Sequence, residues 1–205
     1  MQFFIRASGK PNRLGILPGS FNPPTRAHLA LAEAALGEVD EVVVVLPRVF
    51  PHKSYEGADF TQRVRMLVGA LGGHPQLSAA ASDGGLFAEI AAECRAAYGS
   101  TTRLVFLCGR DAAERIVNWD YGEADAIVRI LERFQLLVAS RQGSFEPPVH
   151  LRHAIHGLRI PAGLERVSAS EARRRIREGL EWEELIPPSI VPLVREIYRD
   201  FAYSR

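Results

Sequence analysis

Along the chain, short unbroken apolar runs alternate with longer stretches in which apolar residues recur at helical spacing. Residues 14–18 (LGILP) are an apolar run ending in Pro-Gly, which predicts a buried strand entering a tight loop. Residues 41–46 (EVVVVL) are β-branched and predict the firmest strand, and a continuous valine run suits a strand covered on both faces. Residues 103–108 (RLVFLC) and 134–139 (FQLLVA) predict two more strands, and 76–81 a weaker one. Between them the helical spacing predicts helices over 27–36, 60–71, 86–98, 111–116 and 125–133. Alternating strands and helices imply a parallel sheet with helices on both faces.

This is the pattern of an α/β, Rossmann-like doubly wound parallel sheet. Ligands of such sheets bind in the crevice beyond the carboxyl ends of the strands. The loops after residues 18, 46, 108 and 139 are therefore expected around one site. The tail reads differently. Residues 141–161 are loop-like, and 168–178 and 189–201 predict a small C-terminal helical element. Ser168 and Glu171 have capping-box spacing at the first of these helices. Pro187-Pro188 breaks the chain before the second, where Pro192 is tolerable in the first turn. No repeat, low-complexity tract or linker divides the sequence. Residues 1–205 are expected to form one domain, with a core over 14–140 and helices over 165–205 completing the site.

Composition narrows the compartment and the partners. The chain has 205 residues, a formal net charge of +1 and 24% charged residues, as in an ordinary globular domain. A global field for nucleic acid or acidic membranes is therefore absent, and any anion site must be local. No stretch approaches the ~18 apolar residues of a membrane span. The N-terminal apolar run, Phe3–Ile5, is too short for a signal peptide. Cys94 and Cys108 fall in a predicted helix and strand and read as buried free thiols, so a cytoplasmic location is expected.

The loop after the first strand carries candidate chemistry: Gly19-Ser20-Phe21-Asn22-Pro23-Pro24-Thr25-Arg26-Ala27-His28, running into a helix. Gly19 lets the backbone approach a ligand closely, and the prolines stiffen the turn. Thr25 and His28 are one helical turn apart and face the same way, at a helix end that favours an anion. Those groups suit a phosphate site; they also suit a capped helix start with a surface histidine.

The segment resembles the signature loop G-x-F-x-P-x-(H/T)-x-x-H of the HIGH-motif nucleotidyltransferase superfamily, with Gly19, Phe21, Pro23, Thr25 and His28 at its fixed positions. The resemblance implies that His28 contacts ATP phosphates and stabilises the transition state beside Thr25. It also implies that Gly19, Ser20 and Phe21 bind ATP and that Asn22 faces the acceptor. Residues 167–173 (VSASEAR) resemble the family's I-S-x-T-x-x-R element, which implies that Ser168, Ser170 and Arg173 hold the β- and γ-phosphates.

Three middle pieces resemble bacterial nicotinate-nucleotide adenylyltransferases. Pro51-His52-Lys53 is similar to their P-H-K loop, with Lys53 as a point charge toward phosphate, and Arg63 and Met66 fit the R-x-x-M helix that follows. Gly109-Arg110-Asp111 with Trp119 resembles G-x-D…W, which implies an ATP-binding Gly109, a ribose-accepting Asp111 and a ring-stacking Trp119. Arg141-Gln142-Gly143 resembles R-x-G, with Arg141 at the acceptor. One stretch departs. The family's Y-T-x-x-T, at the start of the third helix, is replaced by residues 84–89 (GGLFAE), and the usual Ala of G-A-D is Arg110.

The implied reaction is AMP transfer from ATP to nicotinate mononucleotide, with Mg²⁺ carried on ATP, in NAD biosynthesis. Nicotinamide mononucleotide or another phosphorylated acceptor is the alternative that the departure raises, and a non-catalytic nucleotide-binding protein is the rival from another class. Small molecules are the expected partners, with no nucleic acid or membrane and a possible homo-oligomer. Two side readings are set aside. His150, His153 and His156 lack a further zinc ligand, and Arg173-Arg174-Arg175 lacks the aromatic-lined basic stripe of a nucleic-acid surface.

Overall fold

The structure, a computed structural model, describes residues 1–49, 57–119, 122–123, 125–139, 145–164 and 166–199. Seven strands form one sheet: β1 (Gln2–Ile5), β2 (Arg13–Pro18), β3 (Glu41–Pro47), β4 (Leu77–Ser82), β5 (Arg103–Gly109), β6 (Gln135–Ala139) and β7 (Ile155–Leu158). Their order is β1-β4-β3-β2-β5-β6-β7. Every pairing is parallel except β1 on β4.

The chain builds outward from β2 through β3 to β4, then crosses back to place β5 on the other side of β2. That reversal makes the carboxyl ends of β2 and β5 the switch point, where an open α/β sheet leaves a crevice. Helices α1 (Arg26–Ala35), α2 (Phe60–Leu71), α3 (Phe87–Tyr98), α4 (Arg110–Asn118) and α5 (Ala126–Leu131) link the strands. α2 starts where Asp59 and Gln62 exchange bonds, Gln62 N donating to Asp59 Oδ1 at 2.8 Å and Asp59 N to Gln62 Oε1 at 2.9 Å.

All seven residues of β3 are buried, and alternate valines feed opposite layers. Val43 and Val45 join Ile16, Ile90, Phe106 and Leu136 beneath α3, α4 and α5. Val42 and Val44 join Leu31, Leu67, Val105 and Leu137 beneath α1 and α2. A third cluster sets Ala27 and Met66 of α1 and α2 against Ala172 and Ile176 of α6 (Ala169–Glu178) and Val194 and Ile197 of α7 (Val191–Ile197). α6 starts at Ser168, whose Oγ accepts Glu171 N at 3.1 Å, and ends at Gly179 in the left-handed conformation, φ 68°.

Three elements differ from expectation. β1 was not foreseen: it is a four-residue, half-buried antiparallel edge strand with a register shift between Phe3 and Ile5, too short to show alternation. β7 interrupts the stretch read as loop. Only its end residues Ile155 and Leu158 are buried, while His156 and Gly157 face outward, so it carries no strand pattern. The last helix is shorter than 189–201: residues 188–190 form a 3-10 turn, α7 ends at Ile197, and Tyr198 caps it. His150 lies in a 3-10 turn over 149–151 and His153 in the turn that follows. Among the described residues, no group of three or more His, Cys, Asp or Glu could hold a metal. Cys94 and Cys108 are buried free thiols, pushed up to about 12 by burial. Among the described residues, no helix is long and apolar enough to cross a membrane.

Two stability predictions follow from this packing. Phe106 is 0% exposed, stacked on Phe87 at 4.4 Å and edge-on to Phe134 at 4.6 Å. Phe106→Ala is expected to cost about 3–5 kcal/mol by denaturant unfolding, and a loss below about 1 kcal/mol would contradict this packing.

Glu171 is held at about 2 by hydrogen bonds from Arg174 and then Arg175. A carboxyl depressed in the folded state contributes stability above its unfolded value and loses it as pH falls toward the folded one. The gap in melting temperature between the parent and Glu171→Gln is therefore expected to close between about pH 5 and about pH 2, and to shrink with salt because the cluster is exposed. A gap independent of pH would refute it.

Candidate active site

The loop after β2 is built by contacts from outside itself. Gly19 N donates to Val45 O at 3.0 Å, which ties the loop to the end of β3. Phe21 then sits in the left-handed region at φ 44°, where a non-glycine residue costs roughly 1–3 kcal/mol, a strain typical of ligand sites. Its buried ring lies over Gly19, where a Cβ would meet Phe21 Cζ at 2.9 Å, and meets the His28 ring edge-on at 5.2 Å. A side chain larger than hydrogen at position 19 would displace that ring. The Asn22–Pro23 peptide is cis.

Thr25 caps α1 from an extended conformation and is 0% exposed. Its backbone N–H donates to His28 Nδ1 at 3.0 Å, and its Oγ1 lies 2.8 Å from the same nitrogen. A backbone N–H can only donate, so Nδ1 is an acceptor and the ring proton is assigned to Nε2. The imidazole thus presents an N–H from a ring oriented by Thr25. It does so at a helix N-terminus, whose dipole and amides favour an anion.

The second half of the site arrives on α6. Arg173 NH1 donates to Asn22 O at 2.6 Å, joining α6 to the loop across most of the sequence. Its neighbours are engaged elsewhere. Arg174 pairs with Glu171 and Glu178, and Arg175 with Glu171 and Glu184. Ser168 Oγ accepts the helix cap bond and keeps its own proton to donate; Ser170 is exposed in the first turn.

Gly19, Ser20, Phe21, Thr25, His28 and Arg173 are therefore brought together. Asn22, expected to face the acceptor, is 2% exposed, and its Oδ1 accepts from Ala58 N at 3.2 Å and from the Tyr198 hydroxyl. It shapes the loop from inside.

Gly109 caps α4 at the end of β5, beside β2. Asp111 is exposed in the first turn of α4, and Trp119, 56% exposed at its end, lines an open depression with Asp111, Glu114, Arg115 and Asn118. Arg110 turns to Glu114 along the helix, at 2.6 Å. Lys53 and Arg141, with the P-H-K and R-x-G loops, lie outside the described residues. Before α3, Gly85 N and Leu86 N both donate to Glu89 Oε2 at 2.9 Å, and Asp83 N and Gly84 N to Glu93 Oε1 at 3.0 and 3.1 Å.

Three groups around the loop carried no role in the sequence reading. Arg63, buried on α2, donates to Ser20 O at 3.5 Å and to Asp59 O at 3.3 Å. Ala58 and Tyr198 hold Asn22. The R-x-x-M pattern marked Arg63; no pattern marks the other two.

The family model described as cytidylyltransferase-like matches residues 16–175. A Bordetella pertussis protein named "Probable nicotinate-nucleotide adenylyltransferase" is 32% identical, over 91% of this chain and 98% of its own length. A Moorella thermoacetica protein of the same name is 29% identical, over 93% of each chain. Among solved structures, the nicotinic acid mononucleotide adenylyltransferase of Plasmodium falciparum complexed with NaAD shares the fold. Its TM-score is 0.72 at 18% identity, over 94% of this chain and 98% of that one. The matched span runs from β2 through the signature loop to Arg173 and Arg175 on α6, and on that match this chain belongs to the cytidylyltransferase-like family.

Proposed function

We propose that this chain transfers the adenylyl group of ATP to the 5′-phosphate of nicotinate mononucleotide, forming deamido-NAD and releasing pyrophosphate. The observation that carries the reading is the Thr25–His28 pair, whose ring orientation and tautomer are set at the N-terminus of α1 while Arg173 is held on the same loop. The names and coverage of the relatives support the same chemistry.

A phosphate monoester has its second pKa near ~6, so the acceptor oxygen is already ionised at neutral pH and needs no catalytic base. That oxygen bonds to the α-phosphorus as the bond to the α/β bridging oxygen breaks, and pyrophosphate leaves with the electron pair. ATP would enter as its Mg²⁺ complex, the cation supplying neutralisation of phosphate charge. The chain's part is positioning and charge stabilisation. His28 donates to the bridging region as charge develops there, with Thr25 fixing its ring. Arg173, Ser168 and Ser170 hold the leaving phosphates, and the backbone of Gly19, Ser20 and Phe21 lines the ATP side with Gly109. Lys53 offsets the repulsion between the two substrates. Asp111 accepts ribose hydroxyls, and Trp119 and Arg141 receive the acceptor. Residues 1–205 act as one domain, and the buried free thiols suit a reducing cytoplasm.

One observation favours a second reading of the acceptor. The amides of Gly85 and Leu86 are occupied by the Glu89 carboxylate, which would repel an acidic ring substituent and accept from an amide.

Pyrophosphate release with ATP and Mg²⁺ separates the two acceptors. Nicotinate mononucleotide is expected to exceed nicotinamide mononucleotide by at least about tenfold in kcat/KM, the worth of one good charge-assisted contact. The opposite preference would move the activity to the amide acceptor, and silence with both would sink the reading. His28→Ala is expected to lose ~10²–10³ in kcat with the melting transition intact; near-parental turnover would remove His28 from its role.

A further inference from the structure

Tyr198 lies outside the sequence motifs and outside the chemistry assigned above, yet it is 2% exposed and its hydroxyl donates to Asn22 Oδ1. It caps α7, which Val194 and Ile197 anchor in the third cluster. The same oxygen accepts Ala58 N at 3.2 Å, and Gly57 packs so closely that a Cβ there would lie 3.0 Å from Asn22 Nδ2. The Asn22 carboxamide is therefore held by three residues from outside its loop, while the carbonyl of the same residue carries Arg173 at 2.6 Å.

One residue thus joins α7 to α6 through the signature loop. A rotation of the Asn22 side chain would carry its backbone and the seat of Arg173 with it, and displacements of about 1 Å near a reacting centre cost large factors in rate. Burial pushes the Tyr198 hydroxyl well above its ordinary range, against the opposing influence of Arg173 and Arg63, so it stays a proton donor at neutral pH.

We propose that Tyr198 is a positioning residue for adenylyl transfer: through Asn22 it fixes Arg173 relative to His28, so that both act on one phosphate chain. This rests on the phosphate-binding roles of Arg173 and His28 given above.

The test uses the full chain carrying Tyr198→Phe, which removes one hydroxyl and keeps the ring. Turnover with ATP and nicotinate mononucleotide is set beside ATP affinity by calorimetric titration and the melting transition. kcat is expected to fall ~10-fold with the acceptor KM within about twofold, the signature of a misplaced transition-state contact. In an Arg173→Ala background the same change is expected to matter less than about twofold, because the contact it sets is gone. Parental kcat, or an equal loss in both backgrounds, would overturn the proposal. Asn22→Ala removes the acceptor of the Tyr198 hydroxyl while keeping the carbonyl that holds Arg173 and is expected to give the same split; it decides the matter if Tyr198→Phe does not fold. If the parent turns over neither acceptor, adenylyl transfer to them fails on its own account, and ATP affinity still judges Tyr198. It is expected to weaken about fivefold in the parent and not in Arg173→Ala, and equal affinity would overturn the proposal.

Discussion

A loop that turns its amides and side-chain donors toward a phosphate must have its own carbonyls satisfied from elsewhere. A buried polar group without a partner costs about 1–3 kcal/mol, comparable to the strain that Phe21 carries in its left-handed conformation. In this chain the partners come from distant segments. Arg63 of α2 bonds Ser20 O, Arg173 of α6 bonds Asn22 O, and Ala58 and Tyr198 bond the Asn22 side chain. The loop's shape is thus a property of the assembled chain, and the strain at Phe21 persists because its surroundings over-determine it.

The C-terminal segment follows from that requirement. α6 buries Ala172 and Ile176 against α1 and α2, which sets Arg173 on the loop side. The two arginines after it are neutralised by Glu171, Glu178 and Glu184. Of three consecutive arginines, one is therefore turned onto the signature loop and two are charge-balanced along the helix surface. The same helix starts at Ser168, whose Oγ accepts the cap bond from Glu171 N.

Much of the frame was legible in the residues because its signals are local. The valine run of β3 and the apolar periodicity of α2 mark elements that bury a full face, and the structure places both close to where the pattern put them. β1 and β7 were illegible because edge strands of four residues bury too little to impose alternation. The Thr25–His28 pair could be anticipated from helical spacing alone, and Arg173 from its motif. Asn22, a short polar residue in a ligand loop, reads the same whether it points outward or inward, and the structure holds its carboxamide against Ala58 and Tyr198. Tyr198 was invisible for a related reason: its partner lies 176 residues away, and no periodicity carries a contact of that separation.

The electrostatics complete this picture. Both substrates proposed here are anions, yet the formal net charge is only +1, so steering by the whole protein contributes little to their capture. Attraction has to come from groups whose direction is fixed, because a donor aimed at a developing charge needs no reorganisation when the bond breaks. His28 receives its direction from Thr25, within one turn of helix, and Arg173 receives its own from Asn22, across the whole fold. The first of these is assembled with α1; the second exists only once α6 and α7 have docked. Binding a phosphate chain across both groups would therefore stabilise the packing of α6 and α7 on the loop by mass action.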